Sequence, residues 1–96
     1  MAGFLLRPKA IADLDSIWNY TVEQWDVEPA ERYIRSINQG FADLAVKPNL
    51  GRPCDSIRDG YRKHRVGRHL IFYRIAESGI DVVRVLHQSM DIERHL

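Results

Sequence analysis

From Pro8 onward, apolar residues return every three or four positions: Ile11, Leu14, Trp18, Val22 and Trp25. That spacing predicts one face of an amphipathic helix, with Asp13, Asp15, Asn19 and Glu23 on the other. Pro8 suits the start of such a helix, because the first turn has no use for the N–H that proline lacks. The pattern breaks at Asp26-Val27-Glu28-Pro29. Pro29 fits the first turn of a second helix, where acids also suit the helix dipole. Ala30, Tyr33, Ile34, Ile37, Phe41, Leu44 and Ala45 form its apolar stripe, and Pro48 stops it. Two amphipathic helices joined by a few residues predict an antiparallel helical hairpin.

Strand-like segments flank the hairpin. Residues 3–7 form a short apolar strand ahead of it, and residues 48–60, with Pro48, Gly51, Pro53 and Gly60, form a loop after it. Tyr61 to Val66 reads as a polar strand, and His69 to Ile75 is β by composition. Glu77-Ser78-Gly79 is a tight turn, and Ile80 to Leu86 is the partner strand. Met90 to Leu96 is a short terminal helix, with Asp91 near its start and Ile92 and Leu96 on one side. Helices followed by a run of strands indicate an α+β fold. The expected architecture is a two-helix hairpin packed on one face of an antiparallel β-sheet, with a short C-terminal helix. The other sheet face is then left for binding.

Composition narrows the class. The 96 residues suit one domain, 1–96, and 45% hydrophobic residues allow one core. A single cysteine, Cys54, excludes an internal disulfide, and it reads as a loop residue without a role. No apolar run approaches the roughly 20 residues of a membrane span. The start, Met1 to Leu6, lacks the basic region of a signal peptide, so a cytoplasmic protein is expected. Net charge is only +1, but Arg58, Arg62, Lys63, Arg65, Arg68 and Arg74 fall in one stretch with a single acid, Asp59. The helical half carries Asp13, Asp15, Glu23, Asp26, Glu28 and Glu31. A local basic stretch on a near-neutral chain points to a localised anionic partner rather than a nucleic-acid coat.

Candidate chemistry is sparse. Histidine moves protons near neutral pH, and His87, at the end of the last strand, could act on a phosphate with Arg65 and Arg68 supplying charge. The alternative is a hydrogen-bonded histidine that closes the sheet. His64, His69 and His95 do not share metal spacing with Cys54. No glycine-rich phosphate loop or nucleophile elbow is present, so no cofactor is expected. Trp18 and Trp25 read as core anchors, although Trp25, at a helix end, also suits an interface.

The hairpin residues Asp13-Leu14, Trp18, Tyr20, Ala30, Tyr33-Ile34, Ile37, Phe41, Leu44-Ala45 and Pro48 resemble those of ParE toxins in order and register. So do Gly51-Arg52-Pro53, the strand Gly67-Arg68-His69-Leu70-Ile71-Phe72-Tyr73-Arg74, and Val83-Arg84-Val85-Leu86-His87 with Met90-Asp91. This resemblance to the ParE/RelE superfamily spans nearly the whole chain and implies a RelE-like fold. It implies the toxin of a type II toxin–antitoxin pair, neutralised by a ParD-like antitoxin. It also implies growth arrest by protein contact with DNA gyrase, not enzymatic turnover. RelE-like siblings instead cut messenger RNA on the ribosome, which is the alternative reading. They usually carry a tyrosine or further basic group after the last strand, where this chain has Gln88, Ser89, Met90 and Asp91. The residues expected to meet partners are Arg58, Arg62, Arg65, Arg68, Arg74, Arg84, His87, Met90 and Ile92. Neither a membrane nor a specific nucleic-acid sequence is expected among the partners. Met90 to Leu96 is weighed as a core plug and as a target-facing surface, with the second favoured.

Overall fold

A computed structural model describes residues 3–96. Strand β1 (Gly3–Leu6) leads into helices α1 (Pro8–Trp25) and α2 (Val27–Val46). A 3₁₀ turn (Pro48–Leu50) precedes strands β2 (Arg52–Pro53), β3 (Arg62–Val66), β4 (His69–Ala76) and β5 (Gly79–His87), and α3 (Ile92–His95) ends the chain. The strands form one sheet in the order β1-β5-β4-β3-β2.

The β2–β5 meander is antiparallel, as the turns at Gly67-Arg68 and Glu77-Ser78 dictate. The sheet as a whole is mixed, because β1 joins β5 in parallel, Gly3 opposite Gly79 and Leu6 opposite Val82. The hairpin between β1 and β5 acts as a long crossover, which is what a parallel neighbour needs. The close approach requires Gly79: a Cβ there would lie 1.7 Å from the Gly3 carbonyl oxygen.

The helices cover one sheet face. Ile37, Phe41 and Leu44 of α2 meet Ile71, Tyr73, Ile80, Val82 and Val85, all buried. Val82 and Val85 are three apart, yet both reach this core. They can because Phe72 pairs with Arg84 and Tyr73 with Val82, which leaves Val83 as an inserted bulge residue that resets the alternation. The Tyr73 hydroxyl donates to the Pro48 carbonyl at 2.6 Å and accepts from the Gly51 N–H at 3.0 Å, tying the loop after α2 to the sheet.

The core face of α1 differs from the expected stripe. Ala10 and Ile17 are buried and Leu14 packs beside them, whereas Ile11 is 48% and Trp25 70% exposed. On a helix turning about 100° per residue, the buried face lies roughly 80° from the Ile11–Trp18–Val22–Trp25 ridge. Small Ala10 and polar Asp13 and Thr21 gave that face a weak apolar signal.

The second sheet face is not left open, which corrects the expectation. Cys54, Phe72 and Leu86 are buried there under Ile57, Tyr61, Leu70, Ile92 and Leu96. Cys54 is therefore a small core residue, and burial pushes its thiol pKa up, away from reactive thiolate. Leu96 and Ile92 make the C-terminal segment a plug. The Arg58 guanidinium holds the Leu96 carbonyl, and Arg84 holds that of His95 at 3.0 Å.

Candidate functional site: a basic sheet edge and a histidine cluster

The expected partner residues separate into three groups. Arg65 and Arg68 are exposed beside the β3–β4 turn, and no acid pairs with either among the described residues. Arg65 Nε donates to the Gly67 carbonyl at 2.9 Å, which fixes its stem while leaving its charge outward. Met90 is also exposed, at 42%. Arg58, Arg62 and Arg74 are partly engaged: Arg62 donates to the Gly51 and Asn49 carbonyls, and Arg74 to Asp81 at 3.1 Å. Arg84 and Ile92 turn inward instead of facing a partner. Ile92 packs in the second core, and Arg84 sits in a partly buried ion pair.

That pair involves Asp13, which the apolar pattern assigns to the solvated side of α1. Its carboxylate accepts from Arg84 at 2.7 and 2.8 Å and from the Val85 N–H at 2.9 Å. The pairing of β1 with β5 stops at Val82, so Asp13 satisfies a backbone donor on the uncovered part of β5. On the same strand, Asp81 is buried and accepts from both Arg7, at 2.6 Å, and Arg74. Hydrogen bonding by Arg7, reinforced by Arg74 against the opposing effect of burial, holds the Asp81 carboxyl below its ordinary range. Neither acid had a sequence signal: Arg84 lies 71 residues from Asp13 and Arg7 74 residues from Asp81, and only Arg74, seven positions away, is near in the chain.

Several of the cations without an acidic partner lie on the β2–β3 side of the sheet. Arg52, Lys63, Arg65 and Arg68 have no acidic partner among the described residues. β2 spans only Arg52–Pro53 and pairs only with Arg62 and Lys63, so His64 to Val66 has no neighbouring strand on that side. A positive margin with open backbone suits an acidic extended segment.

A histidine cluster occupies the same end of the sheet. His69 and His87 are cross-strand partners, with ring centroids 5.2 Å apart and edge-to-face. Nδ1 of His69 lies 2.5 Å from the Tyr33 hydroxyl, which also accepts from the Arg68 N–H at 3.1 Å. Tyr33 thus ties α2 to the β3–β4 turn, where Gly67 takes φ +58° and a Cβ would strike the Tyr33 ring. The Ser89 N–H donates to His87 Nδ1 at 3.1 Å, and its hydroxyl lies 2.6 Å from the same nitrogen. Each ring therefore keeps only Nε2 for another partner. Burial, then the neighbouring His87, lowers the His69 pKa from 6.5 to about 4. The unfolded chain takes up this proton near 6.5 and the folded chain only near 4, so stability falls as pH drops through that window. For a half-buried ring the loss is on the order of 2 kcal/mol. Urea unfolding at pH 7, 6 and 5 should show that slope, and His69→Gln should flatten it.

No group of three or more metal-ligating side chains occurs among the described residues. None of their helices is long and apolar enough to cross a membrane.

The profile of the "ParE toxin of type II toxin-antitoxin system, parDE" family matches residues 4–92. The chain belongs to the ParE toxin family. Toxin ParE1 of Mycobacterium tuberculosis is 49% identical over 94 residues, 97% of this chain and 96% of that protein. Toxin ParE1 of Caulobacter vibrioides is 40% identical over 96 residues, 100% of this chain and 99% of that toxin. Among solved structures, the chromosomal ParDE system of P. aeruginosa superposes with a TM-score of 0.77 at 24% identity, covering 91% of this chain and 96% of that one. The toxin–antitoxin complex RelBE2 of Mycobacterium tuberculosis gives 0.68 at 22%, covering 90% and 96%. Both likenesses show a fold that ParE and RelE systems share.

Proposed function

We propose that this ParE-family chain is a cytoplasmic toxin that arrests growth by binding DNA gyrase and is silenced by a ParD-like antitoxin. The observation that carries the reading is its full-length relation to ParE toxins. Arg52, Lys63, Arg65 and Arg68, without acidic partners among the described residues and along the uncovered part of β3, support an antitoxin site there. An acidic segment, disordered when free, could fold onto that edge and cover a large surface with few residues.

The runner-up is messenger RNA cleavage on the ribosome, which the Tyr33–His69–His87 cluster beside Arg65 and Arg68 favours. Against it, two hydrogen-bonding groups of Ser89 converge on His87 Nδ1, and no tyrosine or basic residue follows until Arg94. Concerted cleavage needs an acid and a base placed together. Purified chain added to translating ribosomes should leave messenger RNA intact. Cleavage that disappears in His87→Ala would establish the runner-up instead.

A further inference from the structure

The corner between the helices carries surface that the antitoxin reading does not use. Asp26 alone joins α1 to α2, at φ 90° and ψ 172°. That region is essentially reserved for glycine and costs a non-glycine residue free energy. The turn is nonetheless closed firmly: the Asp26 carboxylate accepts from the Val27 N–H at 2.8 Å, and the Asp26 N–H donates to the Val22 carbonyl at 2.9 Å. This tight corner holds Trp25 70% exposed and Val27 45% exposed. Exposed Trp25 continues the ridge of half-buried Trp18 and Val22.

Charge sets this corner apart. No basic residue occurs between Lys9 and Arg32, while Glu23, Asp26, Glu28 and Glu31 surround Trp25 and Val27 in the chain and are all exposed. None of these four acids is in an ion pair among the described residues. The β2–β3 margin is positive and the corner negative, so one acidic segment cannot be attracted to both. Large aromatic side chains on a rigid support are the usual anchors of protein interfaces.

We propose that the α1–α2 corner is a docking knob, in which Trp25 and Val27 enter an apolar pocket rimmed by lysine or arginine on the toxin's target protein. This rests on the reading of the chain as a toxin, and assigns the corner to the target and the basic margin to the antitoxin. Rim charges steer association, and the indole supplies the buried contact.

The test compares the wild-type chain with Trp25→Ser and with the double variant Glu23→Lys/Glu28→Lys, which leaves the apolar residues in place. Growth arrest on graded induction, affinity for the antitoxin and melting temperature are measured for each. Both variants should need at least tenfold more toxin to arrest growth, with antitoxin affinity and melting temperature near wild type. Full toxicity of Trp25→Ser and of the double variant overturns the proposal. So does a tenfold loss of antitoxin affinity, which gives the corner to the antitoxin. So does a wild-type dimer that Trp25→Ser converts to monomer, which gives it to a second copy. If Trp25→Ser melts early, the double variant decides. Purified wild-type chain that leaves gyrase unaffected removes gyrase as the target, while the growth comparison still decides the corner.

Discussion

Replacing Asp13 with alanine should destabilise the fold by about 2 kcal/mol, because it leaves a partly buried guanidinium without its counter-ion and charge-assisted hydrogen bonds. The side chains of Arg84 and Asp13 are 14% and 13% exposed, so water screens the pair only in part. The same change orphans the Val85 N–H on the open part of β5. Asp13→Asn keeps an acceptor for that N–H but loses the charge, so it should fall between wild type and alanine. Urea unfolding of the three proteins checks the order. An Asp13→Ala protein within about 0.5 kcal/mol of wild type, the range of ordinary surface changes, would place Asp13 on the solvated side after all.

Removing residues 90–96 should cost about 2–3 kcal/mol, since Ile92 and Leu96 are half-buried large side chains. For a domain of this size that is roughly a 10–20 °C fall in melting temperature. The reason is the second core: without the segment, Phe72, Leu86 and Cys54 lose part of their cover. Arg84 also loses the His95 carbonyl, and Arg58 that of Leu96. The target-facing role favoured from sequence would bring only a modest fall in melting temperature, with toxicity lost. Thermal unfolding of the truncated chain, with growth arrest measured alongside, separates the two roles. A folded truncation melting within a few degrees of wild type restores the target-facing reading.

The elements and their order were legible because period and punctuation announce them. Pro8, Pro48 and the Gly67 and Glu77-Ser78-Gly79 turns fall where helices and strands begin or end. The α2 stripe was readable because Ile37, Phe41 and Leu44 are large and all face the sheet. On α1 the two tryptophans mark the margin of the hairpin, while Ile17 and Leu14 face inward beside small Ala10 and charged Asp13. Only tertiary pairing with Arg84 shows that Asp13 belongs inside. The parallel placement of β1 was hidden for a related reason: nothing in four residues of apolar strand specifies a neighbour more than 70 positions away.

The exposed positive charge was partly legible. A run of basic residues was visible, but sequence treats each arginine alike. In the fold, Arg74 and Arg84 spend their charge on Asp81 and Asp13, while Arg65 and Arg68 stay free. The acid partners, not the arginines, decide which charges face outward. The second core was only half legible: the spacing of Ile92 and Leu96 allowed a plug, but the rest of its cover comes from a loop that shows no periodicity.

The proposed action is arrest of growth through protein contact with gyrase. The direct measurement is gyrase supercoiling of relaxed plasmid with the purified chain, alone and premixed with its antitoxin. The expected result is dose-dependent inhibition or accumulation of cleaved plasmid, abolished by the antitoxin. Supercoiling unchanged at toxin in large excess over gyrase, from a preparation that still arrests growth in cells, would contradict it.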